Sequence, residues 1–120
     1  MKMEHLSPLA PNEATAVKEY LARIHELFPG RILSVTLFGS KARGDADPES
    51  DVDLLLLVDA ESRQFRSELW RIASDVGLEH NLVLSVRVYA QERWAKTQRL
   101  RLPLFRAVAA EGIPLTEERR

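Results

Sequence analysis

Two aspartates beside an apolar run are the residues best suited to chemistry. Asp51 and Asp53 stand two positions apart at the entry to the run 54–58. Side chains at this spacing project from the same face of a strand, about 7 Å apart. Carboxylates this close repel each other unless a cation lies between them, and Mg²⁺ commonly binds one or two carboxylates together with substrate phosphate oxygens. The pair therefore predicts a site for a divalent metal, Mg²⁺ or Mn²⁺.

A turn of small residues precedes this pair. Gly39 and Ser40 follow the β-branched and aromatic residues 35–38, which predict a strand. Gly39 permits a sharp turn and the close approach of another group. Ser40 is predicted to cap a short helix, whose free N–H groups favour an anion such as phosphate. A Gly-Ser turn or an Asp-x-Asp pair alone is a weak signal, but together they predict a metal–nucleotide site.

The combined pattern reads Gly-Ser-x-x-x-Gly followed by Ser-Asp-x-Asp-Leu, over residues 39–54. It resembles the nucleotidyltransferase superfamily that includes DNA polymerase β and the aminoglycoside nucleotidyltransferases. The short chain is most similar to the minimal nucleotidyltransferase (MNT) branch, which consists of little more than the catalytic core. The resemblance is strongest over residues 35–58. It implies an α/β (α+β) fold of the polymerase β type, with a small mixed sheet covered by helices.

The resemblance also implies roles for individual residues. In that family the Gly-Ser turn and the helix after it hold the triphosphate of ATP or another NTP, and the Asp-x-Asp pair binds two divalent metals. Asp51 and Asp53 are therefore expected to be catalytic and to bind metal. The residues expected to contact nucleotide or phosphate are Gly39, Ser40, Lys41, Arg43 and Ser50. For Arg43 an alternative remains open, which is an ion pair with Asp45 or Asp47.

A third carboxylate, which the family carries on a later strand, is missing from the expected place. That strand is predicted over residues 82–89, where alternation gives a more polar face containing Ser85 and Arg87 but no acid. Ser85 and Arg87 are expected to line the site. Ser85 can orient a water or a substrate hydroxyl, whereas Arg87 is either a partner for phosphate or a solvated strand residue. A missing general base typically costs ~10²–10⁴-fold in rate, which does not by itself abolish nucleotidyl transfer.

Two functions therefore remain open. The first is a Mg²⁺-dependent transferase that moves an NMP, AMP from ATP being the simplest case, to an acceptor hydroxyl. The resemblance implies that such a chain acts as an antitoxin beside a small helical HEPN protein. Because a core this small leaves little sequence for an acceptor-binding domain, we expect another chain, either a second copy or a different protein, to complete the acceptor site at the exposed part of residues 90–111. The alternative is a catalytically impaired module that binds a partner or a nucleotide. The retained aspartates favour the first, and the missing carboxylate favours the second.

Length and composition predict one domain over residues 1–120, which the resemblance implies is a nucleotidyltransferase domain, with a core at about 12–115 and flexible ends at 1–10 and 116–120. The chain has 120 residues, 45% of them hydrophobic, and no run approaches the ~20 apolar residues of a membrane span. The absence of cysteine and of a signal-peptide pattern predicts a cytoplasmic protein. The net charge of −1 predicts no general nucleic-acid surface.

Hydrophobic periodicity and turn residues predict an alternating order of helices and strands. The predicted helices are 11–28, 62–78, 90–99 and 103–111, and the predicted strands are 31–38, 51–58 and 82–89. Gly112 is expected to end the last helix in the usual C-terminal position, and residues 113–115 are expected to lie along a sheet edge. This order predicts a mixed sheet covered by helices.

Overall fold

The computed structural model describes residues 3–116, which form a four-stranded sheet with helices packed against it. The strands are β1 (Ile32–Phe38), β2 (Val52–Val58), β3 (Leu84–Ala90) and β4 (Ile113–Pro114). The helices are a 3₁₀ turn (Met3–Leu6), α1 (Pro11–Leu27), α2 (Ser40–Arg43), α3 (Arg63–His80), α4 (Gln91–Arg99) and α5 (Pro103–Glu111). Each helix within this part of the chain is too short or too polar to cross a lipid bilayer.

The sheet is mixed, with the strand order β3-β2-β1-β4. Strand β1 runs antiparallel to both β2 and β4, whereas β2 and β3 are parallel. The predicted α+β fold class and mixed sheet are therefore confirmed. Asp53 lies opposite Phe38 of β1 on one side and opposite Ser85 of β3 on the other, so these two register pairs determine its neighbours in the sheet.

The core forms around β2 because this strand is apolar on both faces. Its five consecutive apolar residues lie between β1 and β3, as expected of a central strand. The apolar stripes of α1 and α3 pack against one another, and the Tyr20 hydroxyl of α1 donates a buried hydrogen bond of 3.0 Å to the Leu69 carbonyl of α3. This packing fixes the framework that holds the end of β1 and the start of β2.

The N-terminal boundary of the core differs from the prediction. Residues 1–10 were expected to be flexible, but Leu6 and Leu9 are buried in the core, so the core begins before residue 12. At the other end, residues 113–115 follow the sheet edge as predicted, and the buried Leu115 donates its N–H to the Val35 carbonyl. Residues 1, 2 and 117–120, which belong to the predicted flexible ends, lie outside the described part. The prediction of one domain stays a prediction.

Gly112 follows α5 for a reason that differs from the predicted one. Its φ is −66°, outside the left-handed region that favours glycine at helix ends. A Cβ at this position would instead overlap the Val108 carbonyl and press on Thr36 of β1. The glycine is therefore required chiefly by the backbone of α5 itself, and the contact with Thr36 shows that the end of α5 lies against β1.

Removing the Tyr20 hydroxyl should weaken the α1–α3 contact. We expect Tyr20→Phe to lower the free energy of unfolding by about 1 kcal/mol, because a buried hydrogen bond is lost without loss of ring packing. Urea unfolding monitored by circular dichroism measures the change. Tyr89→Phe, at a partly exposed ring beneath Arg93, is the matched control and should change the value by less than about 0.5 kcal/mol.

Candidate functional site

The turn after β1 lies directly against the second aspartate. Strand β1 ends at Phe38, and Gly39 then takes φ 79° and ψ −164°, a conformation open essentially to glycine alone. A Cβ on Gly39 would overlap Oδ2 of Asp53. The structure therefore brings the predicted Gly-Ser turn into contact with Asp53, the second carboxylate of the predicted pair.

The cap of the short helix is Gly39, which corrects the prediction that Ser40 caps it. Ser40 is the first residue of α2, and the capping position carries no side-chain hydrogen bond. The reason is the contact with Asp53, since only a residue without Cβ fits at the turning point. Gly44 ends this four-residue helix in the left-handed conformation, with φ 81°. The two glycines of the pattern therefore mark the two ends of α2.

The two aspartates lie in different environments. Asp51 is exposed just before β2, whereas Asp53 is half-buried within it. Burial raises the pKa of Asp53 above its ordinary value, and the neighbouring charge of Asp51 raises it further. A hydrogen bond from Ser85 and the charge of Arg87 lower this pKa in part, while the charge of Glu111 raises it. Asp53 therefore lies where negative charge is only partly compensated.

This donor set fits a hard divalent cation. Carboxylate oxygens are the ligands that Mg²⁺ and Mn²⁺ prefer, and a cation near both aspartates would relieve the repulsion that raises the pKa of Asp53. Asp51 and Asp53 are the residues that would hold it. Among residues 3–116, three candidate metal ligands lie within 4.8 Å of one another in one place alone, which does not include either aspartate. The site thus offers two carboxylates, and within the described part of the chain neither of them belongs to a group of three close ligands.

That other group of three joins α1 to α3 and consists of Glu19, Glu79 and His80. Arg23 binds both carboxylates at 3.0 Å, and His80 Nε2 lies 2.5 Å from a Glu19 oxygen. Because a guanidinium already neutralises both acids, we interpret this cluster as an ion-pair network between two helices.

Ser85 and Arg87 lie on the face of β3 that was predicted to be polar. Leu84, Val86 and Val88 are buried on the opposite face, so the predicted alternation is confirmed. Ser85 is the register partner of Asp53, and Arg87 is the next residue on the same face. The position on β3 nearest to Asp53 is therefore occupied by a hydroxyl.

Glu111, at the end of α5, is a residue of the site that the sequence analysis missed. Its Oε1 accepts a hydrogen bond of 2.9 Å from the Gly39 N–H, and its Oε2 accepts one of 2.9 Å from Arg43. The Glu111 side chain is only 17% exposed. The one local signal is weak: an acid in the last turn of a helix opposes the helix dipole, which suggests another partner.

Arg43 lies between two carboxylates. It forms ion pairs with Glu111 at 2.9 Å and with Asp45 at 3.2 Å, and the hydrogen bond to Glu111 raises its pKa. The pairing with Asp45 is one of the two alternatives that the sequence left open. Its guanidinium is largely exposed beside the turn, so the phosphate role of Arg43 stays a prediction.

Lys41 and Ser50 are both tied to the loop between α2 and β2. Lys41 is buried, with its Nζ 2.5 Å from Glu13 Oε2 of α1 and 3.2 Å from the Asp47 carbonyl. Contact between Lys41 and a phosphate would require breaking this buried ion pair, which is costly. The Ser50 N–H donates to the Asp47 carbonyl, and Ser50 lines an open cavity of about 800 Å³ whose lining includes Lys41 but neither aspartate of the pair. The phosphate roles of Lys41 and Ser50 stay predictions.

Comparison with known sequences gives consistent matches. Residues 17–110 match the family described as a nucleotidyltransferase domain. Two relatives from Methanocaldococcus jannaschii are named, provisionally, as protein adenylyltransferases. One is 36% identical over 74 residues, which cover 61% of this chain and 75% of the relative. The other is 31% identical over 101 residues, which cover 84% of this chain and 95% of the relative.

Solved structures share the fold at low sequence identity. A variant of the MntA-HpeT toxin–antitoxin has a TM-score of 0.55 and 18% identity, covering 85% of this chain and 73% of that chain. A toxin–antitoxin with AMP-PNP has a TM-score of 0.54 and 19% identity, and the match covers 85% of this chain and 74% of that chain. A protein from Sulfolobus solfataricus, named provisionally as a nucleotidyltransferase, has a TM-score of 0.52 and 19% identity. This match covers 86% of this chain and 78% of that chain. At this identity the likeness establishes the fold alone.

The raised pKa of Asp53 predicts that its ionised form destabilises the metal-free protein. Because the folded-state pKa lies above the unfolded one, the penalty is present at neutral pH and disappears as the pH falls below the unfolded value. We expect Asp53→Asn to raise Tm at pH 7 in EDTA by about 2–4 °C, with the difference shrinking toward pH 3.5. Thermal unfolding against pH measures it. Glu26→Gln, at an exposed carboxylate of α1, should show no such trend.

Glu111 accepts hydrogen bonds from the Gly39 N–H and Arg43, two groups that were predicted to bind phosphate. Removing its charge frees Arg43 and the Gly39 N–H from a competing carboxylate. We expect Glu111→Gln to bind ATP about 3–10-fold more tightly in EDTA, measured by isothermal titration calorimetry. Equal affinity in the variant and the wild type would contradict this role. Glu26→Gln again serves as the control for the change in net charge.

Proposed function

Since the chain belongs to the nucleotidyltransferase domain family, we propose that it transfers AMP from ATP to a hydroxyl of a protein in a Mg²⁺-dependent reaction. The family match confirms the resemblance that the Gly-Ser and Asp-x-Asp pattern carried. One observation carries the proposal: Gly39 of the turn packs against Asp53 so closely that no Cβ fits between them. A phosphate held on the turn would therefore lie beside the carboxylates that favour a metal.

The relatives support the choice of nucleotide and acceptor. Their names describe protein adenylyltransferases, which supports AMP as the transferred group and a protein as its acceptor. Structures of similar fold are titled as toxin–antitoxins, one of them with AMP-PNP, which supports an adenine nucleotide and a protein partner. We propose an MNT-type antitoxin whose partner is a helical protein of the HEPN type. An ATP substrate is consistent with a cytoplasmic location.

The proposed reaction is an in-line displacement at phosphorus. The acceptor oxygen forms a bond to the α-phosphorus, the bond from that phosphorus to the bridging oxygen breaks, and pyrophosphate leaves. Asp51 and Asp53 would hold a divalent metal, which would supply charge neutralisation at the phosphates. Arg43 and the N–H groups of the turn bind and orient the triphosphate. Because β3 offers Ser85 rather than a carboxylate, the hydroxyl proton passes to water while the Ser85 hydroxyl orients the acceptor.

A second function is favoured by the hydroxyl opposite Asp53. Ser85 occupies the β3 position nearest to that aspartate, where a carboxylate would have completed a group of three acids. With Ser85 there, the fold serves equally as a module that binds nucleotide or partner without turnover. The two functions share nucleotide binding and differ in the transfer of a labelled group.

Thermal unfolding with and without MgATP tests the site that both functions require. At 100 times its dissociation constant a ligand adds about 2.7 kcal/mol, which in a chain of this size raises Tm on the order of 10 °C. We expect this rise in the wild type and in the Glu26→Gln control. Asp51→Asn/Asp53→Asn should lose most of the rise, because the metal-bound phosphates lose their ligands.

Incubation with ATP labelled at the α-phosphate, together with the acceptor protein, separates the two functions. Mg²⁺-dependent label on the protein supports the transferase. A rise in Tm with no label on any candidate acceptor supports the non-catalytic module. No rise in any variant at millimolar MgATP would contradict both.

A further inference from the structure

Positive charge is concentrated in one stretch of the chain, on β3, α4 and α5. Residues 87–106 carry six basic side chains and one acidic one, whereas residues 3–86 carry eight basic and fourteen acidic ones. The centre of this positive stretch is the turn from α4 into α5 with its flanking residues. We call it the α4–α5 corner, which consists of Lys96, Arg99, Leu100, Arg101, Leu102 and Arg106.

The cations of this corner have no anionic partner within residues 3–116. Most arginines elsewhere in the described chain are paired, as Arg93 is with Glu61 at 2.8 Å. Lys96, Arg99, Arg101 and Arg106 are exposed and form no ion pair in this part of the molecule. Four uncompensated positive charges on one corner attract an acidic partner at moderate ionic strength.

Two exposed leucines alternate with the arginines. Leu100 is 58% exposed and Leu102 is 42% exposed. Between them Arg101 takes φ 49°, a left-handed conformation that is strained for any residue other than glycine. Its guanidinium lies 5.8 Å from the centre of the Phe105 ring. The turn therefore presents apolar and basic side chains together on the surface, a combination that suits an amphipathic acidic segment.

The aromatic rings nearby are already engaged, which favours a protein over single-stranded nucleic acid as the occupant. The Trp94 ring makes edge contacts with Tyr89 and Phe105, at centroid distances of 5.5 and 6.1 Å. Arg93 covers the Tyr89 ring at 3.8 Å. Single-stranded nucleic acids bind by stacking bases on open aromatic faces, which this surface lacks.

We propose that the α4–α5 corner docks an acidic, leucine-containing segment of the protein that receives the nucleotidyl group. This inference rests on the proposed function. Helix α5 runs nine residues from the corner to Glu111 at the Gly-Ser turn, which is about 13 Å. An extended chain spans this distance with about four residues. The acceptor hydroxyl should therefore lie about four residues from the docked segment.

Selection from a random twelve-residue peptide library tests the surface. The wild type should enrich peptides that combine Asp or Glu with Leu, Ile or Val. By fluorescence anisotropy, Arg99→Glu/Arg101→Glu should bind the best of them at least tenfold more weakly, and Leu100→Ser/Leu102→Ser at least fivefold. The control Lys18→Glu/Arg63→Glu changes the charge equally on α1 and α3 and should stay within twofold. Enrichment of neutral or basic peptides, or binding that survives both corner variants, would overturn the proposal.

Two further measurements separate the surface from nucleic-acid binding and from catalysis. A twelve-nucleotide uridine RNA should bind more weakly than the selected peptide at 150 mM salt, and tighter binding of the RNA would overturn the protein partner. A set of peptides is then made in which a single serine lies one to eight residues from the end of the selected sequence. Each peptide is incubated with MgATP labelled at the α-phosphate. Label that peaks near offset four supports the docking geometry, and a peak elsewhere overturns it. Binding with no label at any offset leaves the docking surface intact and contradicts transfer.

Discussion

The contact between Gly39 and Asp53 is the constraint on which the rest of the site depends. It requires a residue without Cβ at the end of β1, and the antiparallel register between Phe38 and Asp53 fixes the carboxylate at the start of β2. The parallel register with β3 then determines that Ser85 is the next neighbour of the carboxylate. One steric contact and two strand registers thus place the turn, the acid and the hydroxyl without a long loop.

Glu111 extends this arrangement to the C-terminal helices. Because its two oxygens bind the Gly39 N–H and Arg43, α5 is tied at one end to the Gly-Ser turn. Gly112 follows directly, and without a Cβ it avoids the Val108 carbonyl of α5 and leaves room for Thr36 of β1. The helix therefore connects the site to the α4–α5 corner, and any segment docked at the corner is held at a defined distance from the turn. This coupling is geometric and needs no conformational change.

Local signals in the sequence predicted the elements and the central pair but not the long-range partners. Helices α1 and α3 follow from apolar spacing, α5 follows from Pro103 and Gly112 at its ends, and the pair Asp51 and Asp53 follows from its position before an apolar run. Lys41 shows where local signals fail. Its position next to the turn predicted contact with a phosphate, but in the folded chain it pairs with a glutamate of α1 that is distant in sequence. Glu111 was missed for the same reason, since its partners lie 68 and 72 residues away.

Having Ser85 in place of a third carboxylate alters the charge around Asp53 more than it reduces the capacity of the site for nucleotidyl transfer. A third carboxylate opposite Asp53 would add repulsion to a group whose pKa is already raised by burial and by Asp51. Ser85 donates a hydrogen bond there instead, and Arg87 contributes a positive charge, so both lower that pKa. Nucleotidyl transfer depends chiefly on positioning and charge neutralisation, while a general base contributes a smaller factor. By lowering the pKa of Asp53, Ser85 and Arg87 favour the charged form that a metal would need, which supports the larger contribution to catalysis while the general base is given up.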